Sequence, residues 1–208
     1  MLLLPLCPFG TPAWWSVAQQ PEARLDAGEH YPKRTFRNRI GLHGPNGPEQ
    51  LTVGVKRRRG IPKPQDQTIR VTGDAGRKMW RAIRTTYGSA PYFEEMAEEL
   101  EPLILNGPET LGAWNRATLD WAAQWLGASV PPDAPLDGVD RFGVQHERSL
   151  TDWSTAWMAI ARPWPHIWQD RMTPHFSGLS VLDLILHCGP ESRQWIIPLT
   201  PSESPHRG

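Results

Sequence analysis

Cysteine is nearly absent. Two residues, Cys7 and Cys188, in a chain of 208 exclude a disulfide-stapled secreted scaffold. Long apolar runs are missing too: nothing approaches the roughly 18–20 continuous apolar residues a membrane-spanning helix needs. Residues 1–9 are apolar but lack the basic flank of an export signal and carry prolines where its apolar stretch would stand, so a cytoplasmic location is expected. Net charge of one sign is also lacking, with 22 Lys and Arg against 22 Asp and Glu. The chain contains no phosphate-binding glycine loop, no dinucleotide-binding glycine pattern, no nucleophile elbow and no His-Glu-x-x-His pair. With no helix-turn-helix, zinc-finger or RNP pattern beside its basic residues, no nucleic-acid partner is expected.

What is present is bulk and punctuation. Eleven tryptophans supply packing mass, while 22 prolines and 18 glycines imply short elements joined by structured loops. The apolar fraction of 39% keeps the chain out of the disordered class, and its length suits one domain. A single domain over residues 1–200 is expected, with a basic, strand-rich part (1–72), a helical part (73–200) and a flexible tail (201–208).

The balanced total hides an asymmetry. Residues 1–90 hold 15 Lys and Arg against 6 Asp and Glu, and residues 91–208 hold 7 against 16. Within the basic part, Lys33, Arg34, Arg37 and Arg39 form one cluster, and Lys56, Arg57, Arg58, Arg59 and Lys63 another. Such clusters either focus an anionic small molecule or simply balance the acidic second half.

Hydrophobic spacing places the elements. Residues 2–4 read as a short buried strand, and Trp14, Trp15 and Val17 as the start of a short helix. Residues 28–42 read as a strand whose alternation puts Lys33, Arg37 and Arg39 on one face. Gly44-Pro45-Asn46-Gly47 is a turn signal, followed by a strand through Leu51, Val53 and Val55, together a hairpin with a loop longer than the tightest type. Residues 68–72 suit a further strand with Ile69 and Val71 inward. Helical stripes follow: Trp80, Ile83 and Tyr87 after a cap at Asp74; Phe93, Met96, Leu100 and Leu103 after Pro91, with a break expected at Pro102; then 111–126 between Thr110 and Gly127. A last helix spans 179–188, capped by Ser180 and closed by Gly189-Pro190. Strands early and helices later give an α+β fold, a hairpin region packed against a mainly helical middle and C-terminal part.

The chemistry-bearing set in the first part is His30, Lys33, Arg37, Asn38 and Arg39. Guanidinium groups clamp phosphate or carboxylate, an ammonium adds a point charge, an amide orients a hydroxyl, and an imidazole near neutral pKa accepts a proton. The competing reading is a surface patch of ion pairs with His30 bonded locally. Cys188 at a helix C-terminus is a poor thiolate, and Cys7 has no adjacent base. His146, His166, His175 and His187 are suitable metal-ligand types at separations that specify nothing, so no metal and no cofactor is assigned.

The string Glu29-His30-Tyr31-x-Lys33-x-x-Phe36-Arg37-Asn38-Arg39 resembles the WbqC-like proteins of bacterial surface-polysaccharide and O-antigen gene clusters. The likeness continues through Gly44-Pro45-Asn46-Gly47, Leu51-Thr52-Val53, Trp80-Arg81-x-Ile83, Tyr87-Gly88-x-Ala90-Pro91-Tyr92-Phe93-Glu94, Trp164-Pro165-His166-Ile167-Trp168 and Leu179-Ser180-x-Leu182-Asp183-Leu184. It departs from the family pattern at His166 (usually Gln), Ser177-Gly178 (usually Pro-Asn) and His187 (usually Asn), with Trp at 164 and 168 in place of smaller aromatics.

The resemblance implies a cytoplasmic protein of surface-polysaccharide production, a small transferase adding an acyl or aminoacyl group to an activated sugar. On that reading His30 accepts a proton and Asp183 orients the donor, although capping Ser180 or pairing with a cation is the more ordinary use of Asp183. Lys33, Arg37, Asn38, Arg39 and His166 bind an anionic substrate of the nucleotide-sugar or phosphosugar class. The alternative is a non-catalytic protein that binds an anion or a partner enzyme of the pathway.

Overall fold

The computed structural model describes residues 2–29, 35–56, 64, 67–135, 163–168 and 178–196. Strand β1 (Leu2–Pro5) pairs in parallel with β2 (Ala23–Asp26), and helix α1 (Pro12–Ala18) lies between them in sequence. Pro12 presets the first helical turn, and the Thr11 hydroxyl accepts from the Trp14 amide at 3.1 Å, a standard N-cap. Trp14 and Trp15 are fully buried. Their indole N–H groups donate to the carbonyls of Pro5 (3.1 Å) and Phe9 (2.7 Å), so the rings add bulk without leaving a polar atom unpaired.

A second two-stranded sheet is antiparallel, β3 (Arg39–Gly44) with β4 (Gly47–Thr52). Gly44 pairs with Gly47, so Pro45 and Asn46 alone make the connection, tighter than the sequence suggests. Of the strand expected over 28–42, the described residues form β3 from Arg39 onward. Phe36–Asn38 wind into a 3-10 turn, and this breaks the alternation that would have set Arg37 beside Arg39. The 68–72 segment makes isolated bridges, Val55 with Arg70 and Ile69 with Thr110. Its facing is the reverse of that expected: Val71 is 40% exposed and Arg70 is buried. The Arg70 guanidinium donates to the carbonyls of Pro108 (2.8 Å) and Gly107 (2.9 Å) and lies over the Trp114 ring. Paired in this way, it fills a position a valine cannot use.

The helices are α2 (Asp74–Tyr87), α3 (Phe93–Asn106), α4 (Leu111–Leu126) and α5 (Val181–Cys188). Gly73, not Asp74, is the N-cap of α2. Pro102 does not interrupt α3, which runs on to Asn106. Thr110 caps α4, and Gly127 closes it in the left-handed conformation at φ 58°, as its spacing predicts. Gly189-Pro190 ends α5, but the chain continues as a 3-10 helix, Gly189–Trp195, because proline suits the first turn of a helix.

Every residue of α5 is buried, and two glycines make its docking possible. A Cβ on Gly41 would come within 1.8 Å of the Gly178 carbonyl oxygen. That close approach lets the Ser180 amide donate to the Gly41 carbonyl at 3.0 Å. The Val181 amide donates to the Gly10 carbonyl at 2.8 Å, in a turn where Phe9 and Gly10 both have positive φ. The start of α5 is thus pinned to β3 and to the loop after β1, which sets Asp183 in the interior. The architecture is α+β. Among the described residues no helix is long and apolar enough to cross a membrane.

Candidate functional site

Asp183, in the first turn of α5, is completely buried, and its carboxylate meets three side chains from two parts of the chain, α2 and residues 163–168. The Tyr87 hydroxyl at the end of α2 donates to Oδ2 at 2.7 Å, and the Trp164 indole donates to Oδ1 at 2.9 Å. His166 Nε2 lies 3.1 Å from Oδ2. The Tyr87 oxygen in turn accepts from the His43 amide of β3 at 3.1 Å. Burial alone would push the Asp183 carboxyl up. The His166 hydrogen bond, the neighbouring His187 and His166 imidazoles and the Tyr87 hydroxyl more than offset this, so the group settles below the ordinary carboxylate range. The N-terminal end of α5 adds to the stabilisation of a negative charge there.

Hydrogen-bond partners fix the protons on two imidazoles. The Trp168 amide donates to His166 Nδ1 at 2.9 Å, so the neutral ring carries its proton on Nε2 and gives it to Asp183. His187 Nδ1 lies 2.7 Å from the Asp183 carbonyl. A carbonyl only accepts, so Nδ1 holds the proton and Nε2 keeps a lone pair. That Nε2 is buried and unpartnered, as are both ring nitrogens of His43. The His166 and His187 rings stack at 4.0 Å, 24° from parallel, and His43 stands edge-on to His166 at 5.3 Å. Burial holds both His43 and His187 below the usual imidazole range, hence neutral near pH 7. Tyr87 is pushed well above the phenol range by burial and by the Asp183 charge.

His166, Asp183 and His187 place one donor atom each within 4.8 Å of one another, but the geometry does not fit a single ion. A zinc ion sits about 2.0–2.1 Å from an imidazole nitrogen, along an in-plane lone pair. Two nearly parallel rings stacked at 4.0 Å do not aim such lone pairs at one point. Both nitrogens of His166 are also engaged already. The trio is a stacked and hydrogen-bonded cluster around one carboxylate.

Of the residues singled out in the first part, the described ones, Arg37, Asn38 and Arg39, each take a different partner. Arg37 is buried, and its guanidinium grips Glu29 through Nε and Nη2 while lying over the Phe36 ring. Its carbonyl accepts from Asn115 of α4 at 2.8 Å. Asn38 is buried too, and its side-chain amide donates to the Val53 carbonyl at 2.9 Å while its backbone carbonyl accepts from the Val53 amide. Arg39 points elsewhere, to Gln50 across the hairpin at 2.9 Å. His30 and Lys33 lie outside the described residues, as do Arg57, Arg58, Arg59, Lys63, His146, His175, Ser177 and the 201–208 tail. The motif from Phe36 to Asn38 is therefore a structural knot joining the hairpin, α4 and Glu29. Asp183 and His166 do meet, and among the described residues the Asp183 side chain bonds to Tyr87, Trp164 and His166, not to a Lys, an Arg or Ser180. Burial pushes both cysteine thiols up to about 12, which leaves neither a nucleophile at neutral pH.

Sequence reasoning missed His43, Tyr87 and Trp164 as parts of the centre. Tyr87 reads in the sequence as the end of an apolar stripe, but its hydroxyl meets Asp183 across 96 residues of sequence, which no local pattern encodes.

Comparison with known proteins agrees with the motif. No solved structure matches the chain. The uncharacterized protein Rv1507c of Mycobacterium tuberculosis (strain ATCC 25618 / H37Rv) is 31% identical over 101 residues, 48% of this chain and 44% of that protein. The match thus spans less than half the length of that relative. The WbqC-like protein family matches residues 25–136, more than half of the chain. That stretch contains the Glu29–Arg37 pair, the Asn38 clamp, the hairpin and Tyr87, the features on which the architecture turns. Membership brings a general association with polysaccharide pathways and leaves the chemistry open. The chain belongs to the WbqC-like protein family.

Proposed function

We propose that the protein is a cytoplasmic transferase of surface-polysaccharide production, which moves an acyl or aminoacyl group, such as glycyl, onto a hydroxyl or amine of an activated sugar. One observation carries this reading: an anionic carboxylate, fully buried at Asp183, beside an imidazole whose Nε2 lone pair is free. Burying a charge costs several kcal/mol, and a well-packed apolar group there would serve stability as well or better. A retained buried charge next to open imidazole nitrogens suits proton handling.

In the proposed reaction the acceptor oxygen or nitrogen attacks the acyl carbon, a new ester or amide bond forms, and the bond to the acyl carrier breaks. His30 takes the acceptor's proton. Arg37 acts as a positioning residue by gripping Glu29, the residue before His30, while Asn38 holds the adjoining hairpin. Lys33 and Arg39 attract the anionic part of the substrate, Asp183 orients the donor side, and His166 completes the polar lining.

The test is mass-spectrometric detection of acylated product from a panel of nucleotide sugars offered with acyl thioesters and aminoacyl esters. Wild-type protein is expected to add one acyl mass to a particular sugar. His30→Ala should lower turnover by about 10²–10⁴-fold with sugar binding retained.

A second reading, a non-catalytic protein binding an anion or a partner enzyme, is favoured by the saturation of the centre. Both Asp183 oxygens and both His166 nitrogens already have partners, and Arg37 is spent on Glu29. Nucleotide-sugar binding without product from any donor would decide for it.

A further inference from the structure

Tyr87 sits where three elements meet. Its ring ends the buried stripe of α2, and its hydroxyl bonds to β3 on one side and to α5 on the other. The His43 amide donates to the phenol oxygen at 3.1 Å, and the phenol donates to Asp183 Oδ2 at 2.7 Å. A hydroxyl proton rotates to suit its partners. With an N–H already on the oxygen, that proton is left to point at the carboxylate. Hydrogen bonds in series polarise one another, so the amide also strengthens the phenol as a donor.

The donors to Asp183 differ in origin and in distance. Trp164 and His166 both come from residues 163–168, at 2.9 Å and 3.1 Å. Tyr87 comes from a helix, and its bond is the shortest of the three. A separation of 2.7 Å lies in the range of a hydroxyl bonded to a carboxylate anion. We propose that Tyr87 is a positioning residue of the Asp183 centre: its hydroxyl, aimed by the His43 amide, holds Asp183 as an anion and fixes the rotation of the carboxylate. With Oδ2 held in this way, Oδ1 is kept toward the Trp164 indole and His187 Nδ1, the latter 3.6 Å away. The hairpin thereby governs a charge on the last helix.

The titratable groups facing Asp183 are Tyr87 on α2, His166 on the 163–168 segment, His43 on β3, and His187 and Cys188 on its own helix. Burial keeps the Tyr87 phenol and the Cys188 thiol neutral, so Tyr87 acts on Asp183 as a donor and not as a competing anion. A donor to a carboxylate favours its charged form, and removal of that donor raises the titration midpoint. The His166 hydrogen bond and the neighbouring imidazoles lower the carboxyl as well. Loss of the phenol alone therefore moves the midpoint up without bringing it to neutral pH. This role goes beyond the transfer reading and stands on the geometry around Asp183.

Tyr87→Phe removes the hydroxyl and keeps the ring. Followed by NMR on the full chain, the Asp183 ¹³Cγ resonance should titrate about 1–2 pH units higher in this variant than in the wild type. Ser192→Ala is the comparison, since it removes a buried hydroxyl that donates to the Leu184 carbonyl of α5 at 3.3 Å. It should leave the midpoint where it is. An unmoved midpoint in Tyr87→Phe, or an equal rise in both variants, would overturn the positioning role. Should Tyr87→Phe fail to fold, the Tyr87 ¹³Cζ resonance of the wild type decides instead. It should shift at the Asp183 midpoint, and a resonance indifferent to that titration would overturn the proposal. Absence of product in every transfer assay would defeat the transfer reading and leave these resonances to decide on Tyr87.

Discussion

A guanidinium keeps its charge even when removed from water, so Arg37 depends on its partner. Its side chain is 2% exposed and that of Glu29 13%, which leaves little solvent to screen either charge if the other is lost. Arg37→Leu should therefore destabilise the protein by about 3 kcal/mol in urea denaturation. Arg37→Lys should recover only part of that, because an ammonium cannot reproduce the two-pronged grip on Glu29. Adding Glu29→Gln to Arg37→Leu should restore some stability by removing the stranded anion, and a fully additive double variant would argue against the pair. The residue types in this motif are readable as anion-directed chemistry from sequence. That the anion is Glu29 is not, because a 3-10 turn over Phe36–Asn38 turns Arg37 inward, where strand alternation would have kept it beside Arg39.

Elements with strong periodicity and caps are the legible part of the chain. Helix α4 ends where Thr110 and Gly127 say it should, and the α2 stripe of Trp80, Ile83 and Tyr87 is its buried face. The hairpin, too, follows from its turn residues. Short elements governed by tertiary contacts are less legible: Arg70 turns inward because α4 and the 107–108 carbonyls are there to receive it. The docking of α5 depends on space rather than pattern. Gly41→Ala would drive a methyl group into the Gly178 carbonyl, a contact that requires backbone to move. That variant should lower the melting temperature far more than the conservative Thr110→Ala, which removes one cap worth about 1 kcal/mol. Equal melting shifts for the two would show that β3 and α5 are not in close register. The expected break at Pro102 does not occur in α3, which continues for one more turn.

At the scale of the whole molecule, one carboxylate joins β3, α2, the 163–168 segment and α5. Sequence supplies Asp183 and His166 as candidates but not their meeting, since Trp164 reaches Asp183 across 19 residues and Tyr87 across 96. The cluster's cohesion rests on Asp183 being an anion with its folded pKa depressed. A depressed carboxyl contributes stability above the unfolded value of about 3.9, and that contribution is lost as pH falls through the folded value. The most direct measurement is the ¹³Cγ resonance of Asp183, assigned by its loss in Asp183→Asn and followed from about pH 8 to about pH 3. The account predicts an ionised carboxylate at neutral pH that begins to protonate only below the ordinary aspartate range. A carboxyl already protonated near pH 7, or one titrating above that range, would contradict it.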